Sequence, residues 1–139
     1  MARKIRYEVP MTALFHDGNE KALMGHLATG FADRFMGLMG QESVPEWRGM
    51  VFPRCTSLHT YWMRVPIDVL WLGYPEPDGT TLVIGTEHSL APSRCAFAPK
   101  GTWGAAEFAA GTFEQAPEVV RVAGMDTRGR IAGDGALQG

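Results

Sequence analysis

Chain reversal is the strongest constraint this sequence carries. Glycine and proline occupy 26 of 139 positions, 17 and 9 respectively, about 19% where an average chain has about 12%. Glycine admits backbone angles that other residues avoid, and proline withdraws a hydrogen-bond donor from any ladder it enters. The expected fold is therefore many short elements joined by turns, and a helical bundle is excluded. The length suits a single domain over 1–139. Such a chain buries about 68% of its unfolded surface, enough for a core without staples.

Charge and cysteine content exclude several classes. Thirteen Lys and Arg face fifteen Asp and Glu, a net charge of −2, so no nucleic-acid partner is expected, because such partners select a strongly basic face. Cys55 and Cys95 are too few for a disulfide scaffold and lack C-x-x-C spacing, so both are expected to be thiols. The basic N-terminus is interrupted by Glu8 and Pro10 before any apolar run, so no signal peptide is expected. The longest stretch without Asp, Glu, Lys or Arg is 11 residues, Ala22 to Ala32, whereas a membrane span needs about 20. A cytoplasmic protein, or part of a soluble assembly, is expected.

Periodicity places the elements. Ile5, Tyr7 and Val9 alternate with Arg6 and Glu8 as a half-buried strand that Pro10 ends or confines to a sheet border. A second strand spans Ala22–Ala28. Thr29 can cap a helix carrying Phe31, Phe35, Leu38 and Met39 at helical spacing, which predicts one short helix over about 29–40, weakened by Gly37 and Gly40. Strands are predicted at Met50–Phe52, Ser57–Met63, Ile67–Leu72, Thr80–Thr86, Ala105–Phe108 and Glu118–Ala123, with Asp78-Gly79 turning a hairpin. The prediction is a mainly β single-domain sandwich or flattened barrel of about seven or eight strands. The Gly-rich tail, 133–139, is expected to be mobile.

The segment from Cys55 to Leu72 carries the most chemistry. Alternation puts Cys55, Ser57, His59, Tyr61 and Met63 on one face and Leu58, Trp62 and Arg64 on the other. In the next strand Ile67, Val69 and Trp71 oppose Leu70 and Leu72, which leaves Asp68 as a carboxylate in an apolar run. Burial without a partner is costly, so Asp68 should find Arg64, Arg34, a histidine or backbone N–H groups. Pairing with Arg34 or Arg64 would tie helix to sheet.

Four motifs give the chain a resemblance. They are Arg34-Phe-Met-Gly-Leu-Met39, Gly49-Met-Val-Phe52, His59-Thr-Tyr-Trp-Met-Arg-Val-Pro-Ile-Asp-Val-Leu-Trp-Leu72 and Ala106-Glu-Phe-Ala-Ala-Gly-Thr112. Together they resemble domain-of-unknown-function family 192 over about residues 20–125. Trp62 stands where that pattern has a small residue, and Ala109 where it has proline. The resemblance implies a compact, mainly β domain and no established activity, so function must be argued from the site.

Two readings follow. The first is a non-enzymatic binding or assembly protein with a cleft for a small anion or a peptide, lined by His59, Arg64 and Asp68 with Arg34. A protein partner or self-assembly fits ten Arg among the 13 basic residues and four Trp, types favoured at binding surfaces; Trp71 is expected in the core and Trp47 at the surface. The second is a small hydrolase using His59 and Asp68 with Cys55 as nucleophile or with a bound metal. On one strand Cys55 and His59 stand about 13 Å apart, too far for direct activation. Ligand spacing for a metal is missing around His59, Asp68, Cys55, Cys95, His88 and His26, and no phosphate-cradling motif occurs. Neither metal nor cofactor is expected.

Overall fold

Seven strands close on themselves in the computed structural model, which describes residues 3–131 except the Phe31 side chain. In chain order the elements are β1 (Val9–Leu14), β2 (Glu20–Leu27), α1 (Phe31–Met36), β3 (Arg48–Phe52), β4 (Ser57–His59), β5 (Ile67–Leu72), β6 (Thr80–Leu90), β7 (Cys95–Phe97), β8 (Gly104–Ala109) and β9 (Val119–Val122). The barrel order is β1-β2-β3-β8-β5-β6-β9, with β9 returning to β1, while β4 and β7 form a separate two-stranded ribbon. The fold is thus mainly β with one short helix, and the flattened-barrel alternative is the one adopted.

Among the described strands, only β2 and β3 run parallel. A parallel pair cannot be joined by a tight turn, so the chain leaves the barrel after Leu27, forms α1, and returns at Arg48. That crossover lays α1 over the outside of the sheet. Alternation then sorts the side chains into two apolar layers. Met11, Leu23, Val51, Leu70, Leu72, Phe108 and Val120 fill the barrel interior. Met50, Phe52, Ile67, Val69, Trp71 and Ala105 face outward and are covered by Leu38, Val44 and Ala96. The expected split of Ile67, Val69 and Trp71 from Leu70 and Leu72 is the division between these layers.

Several element boundaries differ from expectation. The first strand begins at Val9 and continues through Pro10, whose carbonyl accepts from Ala123 N at 2.9 Å; residues 3–8 keep the alternating burial without a ladder. The helix is six residues rather than twelve. Gly30 occupies its N-cap position with no side-chain cap, and Gly37 ends it at φ 50°. The strand from Ser57 stops at His59 because Thr60 is locked into a turn, its Oγ1 donating to Ala91 O at 2.6 Å and accepting from Arg94 N at 2.9 Å. β6 runs on to Leu90, its pairing with β5 accommodated by two register shifts, and β7 was not anticipated. The Asp78-Gly79 hairpin forms between β5 and β6; Gly79 has φ 86° and packs against the Val122 carbonyl, so no side chain fits there. The tail from Gly133 lies outside the described residues.

Asp68 is 2% exposed. Of the partners expected for it, the backbone supplies all. Its carboxylate accepts from Ser89 N at 2.9 Å, Gly111 N at 3.0 Å and Phe113 N at 3.4 Å. The pairing with Arg34 or Arg64 does not form: Arg34 donates to the carbonyls of Pro53 and Arg54, and Arg64 reaches Glu42 at 3.1 Å on the surface. One carboxylate thereby fastens β5 to the end of β6 and to the turn after β8. The N-terminal segment is strapped down separately. Arg3 Nη1 and His26 Nε2 contact the two Asp33 carboxylate oxygens at 2.7 and 2.6 Å, while Ile5 and Tyr7 pack on the outer layer.

Asp68→Ala strands three amide donors and should lower stability by about 3 kcal/mol or more; chemical denaturation measures this, and a loss below about 1 kcal/mol would refute the clamp. Asp33 gives a pH signature. Burial alone would raise its carboxyl, but hydrogen bonds from His26 and Arg3 outweigh that and hold it below the ordinary value of 3.8. A depressed carboxyl stabilises fully above its unfolded value and loses that contribution as pH falls through the folded one. Residues 3–8 should therefore detach in acid below about pH 4 before the barrel unfolds, read as movement of the Ile5 and Tyr7 side-chain NMR signals to unfolded positions. Asp33→Asn should release the same residues at neutral pH.

Candidate ligand-binding cleft

The β4/β7 ribbon stands off the barrel, paired through Ser57–Phe97, Leu58–Ala96 and His59–Cys95. It is hinged to the sheet by Cys55 N donating to Trp103 O at 2.9 Å. α1 and its exit turn form the opposite wall. Between these walls lies a cleft of about 120 Å³. Arg34 and Gly37 line it from the helix side, Cys55, Ser57 and His59 from the ribbon, Tyr61 and Met63 from the turn beyond, and Phe52 and Glu107 from the sheet. All five residues predicted to share the Cys55 face line this cleft, although the strand itself stops at His59.

Glu107 is the residue that sequence reasoning missed. It sits on β8 in register with Met50 of β3 and Val69 of β5, on the apolar outer face. It is 6% exposed and no hydrogen bond joins it to a described residue, yet the fully enclosed unbonded side-chain atom among them is Arg3 Nε and not a Glu107 oxygen, so its carboxyl reaches the cleft surface. Burial pushes its carboxyl up to about 8, so at neutral pH it is chiefly the protonated acid, presenting one O–H donor and one acceptor oxygen. Gly37 keeps the space beside it open, since a Cβ there would come within 3.7 Å of Glu107 Oε1 and 3.3 Å of the Phe52 ring. The signal was available: a lone carboxylate in Ala105-Ala106-Glu107-Phe108-Ala109 is the pattern that singled out Asp68.

The other predicted site residues divide. Arg34 and His59 line the cleft; Arg64 and Asp68 do not. The Arg34 guanidinium holds α1 to the exit of β3 through carbonyls of Ala28, Pro53 and Arg54. His59 is exposed, stacked on Tyr61 with centroids 5.2 Å apart and edge-on to Trp62 at 6.3 Å. The Cys55 thiol donates to Ser57 O at 3.1 Å, and burial raises it above its ordinary value, so it is no activated nucleophile. Cys55 and Cys95 are both free thiols. The Cys55–His59–Asp68 constellation is not assembled, because amides at the barrel end consume Asp68. Among the described residues no three His, Cys, Asp or Glu gather as metal ligands.

The surface aromatics also differ from expectation. Trp71 is in the core, but Trp47 is half-buried, with Phe113 at 5.9 Å and Lys21 Nζ 4.3 Å above its ring. Trp62 is the exposed indole, at 70%. A wider trough beside Trp47 and Phe113 is open and holds no buried polar group. No helix among the described residues is long and apolar enough to cross a membrane.

Two solved structures share the fold. A protein described as a "putative transcription regulator" from Sinorhizobium meliloti 1021 superposes with TM-score 0.72 at 18% identity, over 86% of this chain and 98% of its own. A protein of unknown function from Novosphingobium aromaticivorans gives TM-score 0.65 at 17% identity, over 86% and 90%. No curated protein matches the sequence. A family model matches residues 13–117, about three quarters of the chain, and the protein belongs to DUF192, a family described as an uncharacterised ACR.

Proposed function

We propose that this domain is a binding protein whose cleft between α1 and the β4/β7 ribbon takes up a small ligand, with Glu107 as the recognising group. One observation carries the reading: Glu107, almost wholly buried as a residue and without a hydrogen-bond partner among the described residues, opens its carboxyl onto the cleft. A carboxyl so placed has donor and acceptor capacity that the described residues leave unused. A ligand in the cleft can engage that capacity. Arg34 and His59 line the same cleft and are assigned to it with Glu107. Arg64, paired with Glu42, and Asp68, held by three amides, serve the scaffold.

The hydrolase reading draws no comparable support. A thiol held in its protonated form, donating to a backbone carbonyl, lacks the adjacent base that nucleophilic catalysis requires. The regulator description of the Sinorhizobium protein gives no second reading at 18% identity, and the near-neutral net charge of this chain does not favour nucleic acid.

Two measurements test the proposal. Between pH 4.5, the ordinary value of the acid, and about 8, native Glu107 keeps a proton that the unfolded chain has lost. Its contribution to stability therefore falls as pH rises, by about 1.4 kcal/mol per unit. Glu107→Gln should abolish this slope and be more stable than the parent at pH 8; an unchanged slope would mean that the acid is not buried. In a fragment screen followed by NMR, binders should shift His59 and Cys55 signals, and Ser57→Phe, which fills the cleft mouth, should remove those shifts while Cys55→Ala keeps them. Binders that shift only residues outside the cleft would overturn the assignment.

A further inference from the structure

We infer that the cleft selects an organic cation, an alkylammonium or guanidinium head that meets Glu107 while the body of the ligand lies along the Tyr61 and Trp62 rings. This rests on the cleft being a binding site and assigns the class of its ligand.

The first argument is the sign of the missing charge. The N-terminal segment brings Tyr7, which Arg3, Arg48 and Glu107 all reach electrostatically, and α1 brings Arg34. The ribbon and its turn bring Cys55, His59 and Tyr61, and β6 brings Glu87 opposite Val69. None is a counter-ion. Arg34 spends its two terminal nitrogens on backbone carbonyls, Asp33 is taken by Arg3 and His26, and burial alone accounts for the high carboxyl value. The described residues thus set an acid on the cleft and supply no cation to neutralise it. An anionic ligand can accept from the protonated acid but is repelled once the acid ionises, whereas a cation pairs with the ionised form.

The second argument is the rim. Tyr61 and Trp62 are 43% and 70% exposed, with ring centroids 6.1 Å apart at an interplanar angle of 67°. Of these rings Tyr61 lines the cleft and Trp62 stands next to it outside the lining; an aromatic face there suits a cation, whose attraction to it is about 0.5–2 kcal/mol. Size is the third. At about 120 Å³ the cleft is smaller than a cavity of about 150 Å³ that binds benzene, so it admits a guanidinium or ammonium head but no nucleobase.

The binding step balances in protons. Below the titration of Glu107, the protonated acid and the cation give a carboxylate–cation pair, and one proton passes to solvent. At pH 7 an acid titrating at about 8 should release about 0.9 proton per ligand bound.

The test uses three probes of one shape: butylguanidinium, valeramide and valerate. Butylguanidinium should shift the His59 and Cys55 signals, and its affinity should rise about tenfold per pH unit from 5.5 to 7.5 and level off above about 8. Calorimetry in two buffers of different ionisation heat should count the released proton. Glu107→Gln, isosteric and expected to fold, should weaken butylguanidinium at least tenfold at pH 8 and remove the pH dependence. Tyr61→Leu should weaken it severalfold and leave the pH dependence intact. If valeramide or valerate binds the cleft as tightly as butylguanidinium, the cation assignment falls and the binding cleft stands. If none of the three, nor any fragment, shifts His59 and Cys55, both fall.

Discussion

The barrel depends on a carboxylate that has no cationic partner. Asp68 gathers amides from the end of β6 and from the turn after β8, and so fixes where three elements meet at one end of the barrel. An arginine in that place would have linked two side chains. Backbone amides instead position main chain directly, and each hydrogen bond to a charged acceptor contributes about 1.5–3 kcal/mol. The orientation of β5 follows from this clamp, and with it the outer face on which Glu107, Val69 and Met50 stand side by side.

Two acids, one sequence pattern and opposite fates make the central contrast. Asp68 lies one residue inside β5, opposite the register shift that frees Ser89 N of β6 and near the turn after β8, so backbone can reach it. Glu107 lies in mid-strand, where neighbouring amides are already consumed by β3 and β5. Burial of an acid is tolerated in the first case by satisfaction and in the second by retention of the proton. Local sequence distinguishes neither outcome, because the supply of amides is set by loops 20 to 45 residues away.

What was legible in the sequence was whatever depends on alternation. The two faces of β5, the shared face from Cys55 to Met63 and the β5–β6 hairpin all follow from a period of two and one Asp-Gly turn. Boundaries were less legible. Helical spacing through Leu38 and Met39 suggested a longer helix, but those residues follow Gly37 in a turn, and Leu38 reaches the core from there. The ribbon strand Cys95–Phe97 escaped notice because three residues carry no period. Asp68 and Arg64 seemed to belong to a site because they lie close to His59 in sequence; the turn at Thr60 separates them from it.

Closure of the barrel has a consequence for solubility. Every barrel strand has a neighbour on both sides, and of β6 only the part beyond Val83, which β9 does not reach, offers ladder positions for another chain to extend, the usual route to cross-strand aggregation. Among the described residues, further open ladder positions lie on β4 and β7, three residues each. Strands so short are poor templates for β-stacking. Their exposed aromatic neighbours can therefore stay uncovered without recruiting further copies through main-chain hydrogen bonds.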